Sequence, residues 1–305
     1  MALEEYDLSR AQALMLDQIT PLILTYNEAP NIGRNLERLR WAKDIVVVDS
    51  FSDDATLEIV SQFSQARVFQ RKFDTHANQW SFGLIETEIA TPWVLALDAD
   101  YILSHDLVNE IHSTSLSHDV AGCRAYFTYC INGRRLRSGV YPPVVVLYRR
   151  DAARYVQDGH THRVVVDGVI RDLKSPILHD DRKPLSRWFQ SQQTYTKLEA
   201  RKLLSEPWKN LTWQDRLRRL RIVTPLATLF YCLICRGGIF DGWSGFYYAL
   251  QKLIAETMLA AQLIEADFRG QTSEIPKPIA NRELRIGNTA EFPADPAAVE
   301  HVARM

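Results

Sequence analysis

Apolar runs of strand length alternate with helical spacings through about the first hundred residues. Residues 19–24, Ile-Thr-Pro-Leu-Ile-Leu, predict a strand, and a helix is expected from Pro30 or Asn31 to about Arg40. Ile45-Val46-Val47-Val48 is a β-branched stretch, the mark of a strand covered on both faces. Residues 49–54 read as a loop and helix cap, and 55–63 as a helix with Leu57, Val60 and Phe63 on one face. A short strand at Val68-Phe69 and a helix over about 78–87 lead to a strand at 93–98. Strand and helix alternating in this way predict right-handed parallel crossovers and a doubly wound sheet.

Beyond Asp100 the texture changes. Residues 103–113 look helical, and 120–131 followed by Asn132-Gly133 and 134 onward read as a hairpin about an Asn-Gly turn. Residues 144–148 and 163–166 add strands. From about Lys183 the pattern is helical and basic. Phe240, Trp243, Phe246, Tyr247, Leu250, Leu253, Ile254 and Thr257 then mark one face of a long amphipathic helix. The expected fold class is α/β, a doubly wound, mostly parallel sheet with a C-terminal helical extension. Four divisions follow: a lead over 1–17, a catalytic domain over 18–180, a basic and amphipathic helical region over 181–270, and a loosely ordered, proline-bearing tail over 271–305.

The most specific chemistry lies at the end of the strand at 93–98. Its apolar run stops at Asp98, and Asp100 follows one residue later. Open α/β sheets bind ligands outside the carboxyl ends of their strands. Two acids placed there repel each other and lose water, so a hard divalent cation is their natural partner, and such an ion clamps a diphosphate.

Charge adds one asymmetry. The chain of 305 residues carries a net charge of −1, which gives no reason to expect nucleic acid. Yet residues 182–221 hold eleven Lys or Arg against three Asp or Glu, a local balance of 11 − 3 = +8. Such a stretch suits a phosphate-rich partner or an anionic membrane face. The four cysteines do not suggest a secreted disulfide framework, and Cys232 and Cys235 read as core residues inside an apolar run. The acidic N-terminus has no apolar signal core, so a cytoplasmic location is expected. No run reaches about 18 uninterrupted apolar residues, which argues against a full membrane span.

Three motifs in order carry a resemblance. Pro21-Leu22-Ile23-Leu24-Thr25-Tyr26-Asn27-Glu28, then residues 45–56 with Asp49, Asp53 and Asp54, then Leu97-Asp98-Ala99-Asp100 resemble the family 2 glycosyltransferases. The resemblance covers roughly residues 18–170 and implies a GT-A fold that uses nucleotide-diphosphate sugars. It implies that Thr25, Tyr26 and Glu28 line the nucleoside pocket, with Tyr26 packing on the base. Asp49 would accept a hydrogen bond from base or ribose, Asp98 would contact ribose or metal, and Asp100 would be the principal ligand of a Mg²⁺ or Mn²⁺ ion. Asp53 and Asp54 suit helix capping equally well. Lys72 and Gln79 are candidates for the diphosphate. Phe51 stands where the family usually has glycine, which leads one to expect a different loop path.

In the lipopolysaccharide-core and envelope-glycan relatives a Gly-x-x-His is followed by Glu; here Gly159-His160-Thr161-His162 is followed by Arg163. His162, or less favourably His160, is a candidate third metal ligand. The displaced Glu matters because an inverting transferase needs a carboxylate base. Asp180 and Asp181 are the candidates, Asp180 slightly preferred, with a helix N-cap as the competing role for Asp181.

Arg216, Arg218, Arg219 and Arg221, the apolar run after them and the segment Arg236-Gly237-Gly238-Ile239-Phe240-Asp241-Gly242-Trp243 predict a helix pair lying along a membrane surface. The leading expectation is an inverting, metal-dependent transferase. It moves a sugar, a UDP-sugar first, to a lipid-linked or lipopolysaccharide-type glycan on the cytoplasmic face of the inner membrane, where the protein is peripheral. The alternatives are a non-catalytic envelope-assembly protein that retains the fold, for which Arg163 is the support, and a phosphohydrolase. The second is disfavoured because the Asp-x-Asp follows the fourth strand.

Overall fold

The β-branched runs pair into one seven-stranded sheet. The computed structural model describes residues 16–114, 120–158 and 161–270. The expected tail at 271–305, most of the N-terminal lead and His160 lie outside the described residues. Strands β1 (Ile19–Thr25), β2 (Ile45–Asp49), β3 (Ala66–Gln70) and β4 (Trp93–Asp98) alternate with helices α1 (Ile32–Glu37), α2 (Thr56–Val60) and α3 (His76–Ile85). β1 lies parallel between β2 and β4, and β3 pairs parallel with β2.

Period-two alternation divides these strands between two cores. Ile23, Val47, Leu95 and Leu97 face one side with Leu36 of α1, while Leu22, Val46, Val48 and Val94 face the other with Trp80 and Leu84 of α3. All eight strand residues are fully buried, each contributing about 1.5–3 kcal/mol of transfer free energy. A strand set covered this way has its free edge for chemistry only at its ends, and the carboxyl ends carry Thr25, Asp49 and Asp98.

The rest of the sheet comes from the second half of the domain. After β5 (Tyr101–Ile102) and α4 (His105–Ser113) come β6 (Val120–Ala125), β7 (Phe127–Ile131), β8 (Arg134–Arg135) and β9 (Val144–Arg149). β9 inserts antiparallel between β4 and β6. The expected hairpin is broken at Tyr126: β6 stays in the large sheet, whereas β7 joins a four-stranded sheet of order β5-β13-β7-β8. Its turn is as the sequence suggested, with Asn132 at φ 49° and Gly133 at φ 81°. A two-stranded ribbon, β10 (Ala153–Asp158) and β11 (Thr161–Val166), packs on α3; β12 (Val169–Asp172) then closes the sheet edge, and β13 (Ile177–His179) completes the small sheet.

Helices follow: α5 (Leu185–Ser205), α6 (Trp213–Arg218), α7 (Val223–Phe230) continued by a π-helical turn at Tyr231–Cys235, and α8 (Gly242–Phe268). α5 packs on α8 through Ala200, Leu203, Leu259 and Leu263. Beside that contact Arg218 pairs with Glu256 at 2.8 Å and with Glu199 and Asp215 at 3.5 Å, so part of the basic stretch is neutralised internally. Cys232 is buried as expected, but Cys235 is exposed, and all four cysteines are free. Among the described residues no single helix is long and apolar enough to cross a membrane.

Candidate functional site

The site is built where three chain segments converge on the end of β4. β13 runs antiparallel to β5, with His179 opposite Tyr101, and the Asp180 amide donates to the Asp100 carbonyl at 3.1 Å. This register brings residues 179–183 against Asp98 and Asp100. The loop after β1 and the first turn of α1 supply the third side through Glu28, Asn31 and Arg34.

Asp100 is buried, and its Oδ2 lies 3.1 Å from His179 Nε2. Its other oxygen, Oδ1, is buried without a hydrogen-bond partner, as is His179 Nδ1. Burial pushes the Asp100 carboxyl up, but His179 and Lys183 outweigh it and hold it down at about 2. Asp98 goes the other way: burial and the neighbouring Asp100 raise it to about 6. Burial likewise lifts Glu28 to about 7 despite its contact with Lys183. Lys183 Nζ sits 2.5 Å from Glu28 Oε1 and 3.7 Å from Asp181 Oδ2; burial lowers its pKa, but Glu28, Asp100 and Asp181 more than reverse that. Four carboxylates (Glu28, Asp98, Asp100 and Asp181) thus face Lys183 and His179, a local surplus of negative charge.

Asp180 stands apart from them electrostatically. It is buried, accepts from Arg34 Nη1 at 2.7 Å and from Arg182 Nε and Nη2 at 3.0 and 2.9 Å, and takes the Gly133 amide at 2.9 Å on its other oxygen. Both oxygens are therefore engaged by protein donors. In Asp181 only Oδ1 is so engaged, by Asn31 Nδ2 and the Lys183 amide; Oδ2 meets only the more distant Lys183 ammonium. Asp181 does not begin a helix; the residue before α5 is Pro184.

The nucleoside-side candidates divide in a similar way. Tyr26 is half exposed, with the Arg187 guanidinium 5.4 Å above its ring. Thr25 is buried and donates to Asp49 at 3.0 Å. Asp49 also accepts from Ser52 N and Oγ and from Gln70 Nε2, so a base or ribose donor would have to displace one of these. Asp53 and Asp54 staple the two loops together: Asn27 and Asp53 exchange two hydrogen bonds, and Asp54 receives the Ala29 amide and the Thr56 amide. Phe51 adopts φ 62°, the left-handed geometry that glycine takes without strain. The loop thus uses a conformation open to glycine even with Phe in place.

Gln79 is fully buried and joins Arg71 to Ser50 Oγ, while Lys72 is exposed. His162 packs with Trp80, Tyr155 and His76, ring centroids 5.4–6.0 Å apart; the histidine that meets Asp100 is His179. Arg163 is exposed on β11. Sequence reasoning passed over His179, Lys183 and Arg34. The signal for the first was present, since Ile177-Leu178-His179 is a short apolar run ending in a polar group, as Leu97-Asp98 is.

A divalent ion fits one feature of this site, the orphaned Asp100 Oδ1. Among the described residues no group of three or more His, Cys, Asp or Glu side chains is arranged to hold a metal, so Asp98 and Asp100 would leave most of the coordination to diphosphate and water, as Mg²⁺ sites commonly do.

An uncharacterised glycosyltransferase of Rickettsia felis is 34% identical over 112 residues, 36% of this chain and 38% of the relative; the match spans well under half of the relative's length. The lipopolysaccharide core biosynthesis glycosyltransferase LpsC of Rhizobium meliloti is 24% identical over 265 residues, 81% of this chain and 92% of the relative. Among solved structures, S. aureus TarS 1–349 in complex with UDP-GlcNAc is 13% identical with a TM-score of 0.39, covering 83% of this chain and 92% of the other, too loose a likeness to carry an argument. Residues 22–166 match the model of glycosyl transferase family 2, a span that holds the carboxyl end of β1 together with β2, β4 and the Asp98–Asp100 end. Residues 22–166 thus form a family 2 glycosyltransferase domain, built on a mostly parallel α/β sheet.

Proposed function

We propose that this glycosyltransferase is inverting and metal-assisted. It would take a nucleotide-diphosphate sugar, a UDP-sugar first, and pass the sugar to a lipid-linked or lipopolysaccharide-type glycan at the cytoplasmic face of the inner membrane. The observation that carries the donor site is the buried, unpartnered Asp100 Oδ1 at the end of β4, within a surplus of carboxylates. The long match to a relative named as a lipopolysaccharide core transferase supports the acceptor class.

In this reading the acceptor hydroxyl oxygen attacks the anomeric carbon opposite the diphosphate. The new carbon–oxygen bond forms as the carbon–oxygen bond to phosphate breaks, the electron pair leaves with the β-phosphate oxygen, and the proton passes to Asp181 Oδ2. Asp181 is preferred to Asp180 because it keeps an oxygen not saturated by protein donors. Lys183 places a fixed positive charge beside the leaving diphosphate. A Mg²⁺ or Mn²⁺ ion held by Asp100 and Asp98 would add charge stabilisation there. Asp180 orients the segment through Arg34 and Arg182. A carboxylate in the cluster also removes the reason to read Arg163 as a sign of lost catalysis.

The test is calorimetric titration of UDP and of GDP, with and without Mn²⁺, on the wild type and Asp100→Ala. Metal-dependent binding of one nucleotide that the variant loses is expected. Binding of neither nucleotide to the wild type under either condition would overturn the donor assignment.

A further inference from the structure

The outer face of α7 and the start of α8 differs from the rest of the surface. Ile222, Leu226, Phe230 and Ile234 recur every fourth residue and are 70, 64, 60 and 54% exposed. Phe240, in the 3-10 turn just before α8, and Trp243, in its first turn, are 77 and 87% exposed, and Tyr247 and Leu250 extend their stripe. Between residues 222 and 250 the only charged side chains are Arg236 and Asp241. Both are spent inward. Arg236 donates to the Gly139 carbonyl at 3.0 Å, and buried Asp241 accepts from Arg137 N, Ser138 N and Ser138 Oγ. The exposed face therefore carries no charge. Keeping this many large apolar side chains in water forgoes on the order of 10 kcal/mol, and monomers rarely display a patch of that kind without an occupant.

Composition and charge select the occupant. Val223–Cys235 and Gly238–Phe268 together have the apolar character of a membrane span, but they are bent by 68° at their break, which suits a wedge entering one leaflet rather than a crossing. The segment immediately before it, residues 182–221, has eleven Lys or Arg against three Asp or Glu. Arg218 and Arg221 are paired with Glu256 and Asp267, and Arg182 and Lys183 are held in the site, yet Arg201, Lys209 and Arg216 lie in α5, α6 and the link between them, the segment that leads into the wedge. Trp208 is half exposed there, with Arg216 and Arg219 over its ring. An aromatic and basic base below an uncharged tip matches headgroups below acyl chains.

We propose that α7, the π-helical turn and the head of α8 form a wedge that inserts into one leaflet of an anionic lipid bilayer, Phe240 and Trp243 foremost. Besides anchoring the chain, the wedge is tied to the site. Asp241 holds Ser138, and the Tyr248 hydroxyl accepts from the Val140 amide at 2.8 Å. In the same loop Tyr141 meets the Tyr101 hydroxyl at 2.7 Å and packs 4.8 Å from the His179 ring. The loop that borders the Asp100 cluster is thereby held at the lipid surface. This deepens the reading of a lipid-linked acceptor and rests on that reading for its purpose, while docking itself is independent of catalysis.

The experiment is co-flotation of the full chain with vesicles of phosphatidylcholine alone and with about a quarter phosphatidylglycerol. The wild type is expected to float, with the anionic lipid raising its partition about tenfold. Leu226→Ser/Phe240→Ser/Trp243→Ser should lower partition by at least about tenfold with an unchanged thermal midpoint. As a check that needs no folded triple variant, brominated acyl chains should quench a fluorescence component that Trp243→Phe removes. Failure of the wild type to float with either vesicle, equal flotation of the variant, or a dimer that hides the patch and ignores lipid would overturn the proposal. Nucleotide titration on the same samples separates the two readings: lost flotation with intact nucleotide binding removes the wedge alone, and the converse removes the donor site alone.

Discussion

Asp180→Asn separates a positioning carboxylate from a catalytic base. The substitution preserves volume and takes away the charge that Arg34 and Arg182 share. Removing one partner of a fully buried ion pair costs about 3–5 kcal/mol. Asp180 is only 6% exposed, but the Arg34 and Arg182 side chains are 30 and 40% exposed. Water recovers part of their charge, so a loss of about 2–3 kcal/mol is expected. In urea unfolding the midpoint should fall by somewhat under about 1 M with the slope unchanged. Asp181→Asn is the control. The amide oxygen can still accept from Asn31 and the Lys183 amide, so its stability should stay within about 1 kcal/mol, while sugar transfer falls about 10²–10⁴-fold. A wild-type midpoint for Asp180→Asn together with abolished transfer would refute the reasoning and return the base to Asp180.

Two further outcomes follow from packing. Burial, and next His76, hold His162 neutral down to about pH 3, well below its ordinary 6.5. Between those values the unfolded chain binds a proton that the folded chain refuses. Stability should therefore fall as pH drops below 6.5, by at most about 1.4 kcal/mol per pH unit. His162→Gln should flatten that slope in urea midpoints taken at several pH values, and an identical slope would exclude His162 as its source. In Gly245→Ala the new methyl would lie 2.0 Å from the Gly238 carbonyl oxygen and 2.8 Å from Asp241 Cβ. Backbone cannot give way cheaply, so the joint between α7 and α8 should open, with about 2–4 kcal/mol lost and limited proteolysis newly cutting near residues 236–242; an unchanged digestion pattern would contradict this.

β1, β2 and β4 were readable because both of their faces are buried: Val46, Val47 and Val48 admit no polar residue, whichever side they face. Helix ends were less so. α1 stops at Glu37 rather than near Arg40, and α3 starts at His76, where the Thr75 hydroxyl accepts the Asn78 amide. β10 and β12 escaped notice. β10 mixes Arg, Tyr and Gln, and β12 is exposed along its whole length at the sheet edge, so neither carries an apolar run. The break at Tyr126 was hidden for another reason, since nothing local tells a continuous strand from one that changes sheets. Within the site, Asp98 and Asp100 stood out as an isolated acidic pair ending an apolar run. The roles of Asp180 and Asp181 did not, because they depend on Arg34 and Asn31, some 150 positions earlier.

The loop at 136–141 is gripped from both sides, by Asp241 and Tyr248 behind and by Tyr101 and His179 in front. In chimeras between relatives, residues 222–268 are therefore not a separable cassette. Grafted alone, a foreign helix pair would leave the amides of Arg137, Ser138 and Val140 without acceptors and unseat Tyr141. Loop and helices form one unit of exchange, and acceptor preference should travel with the pair of them.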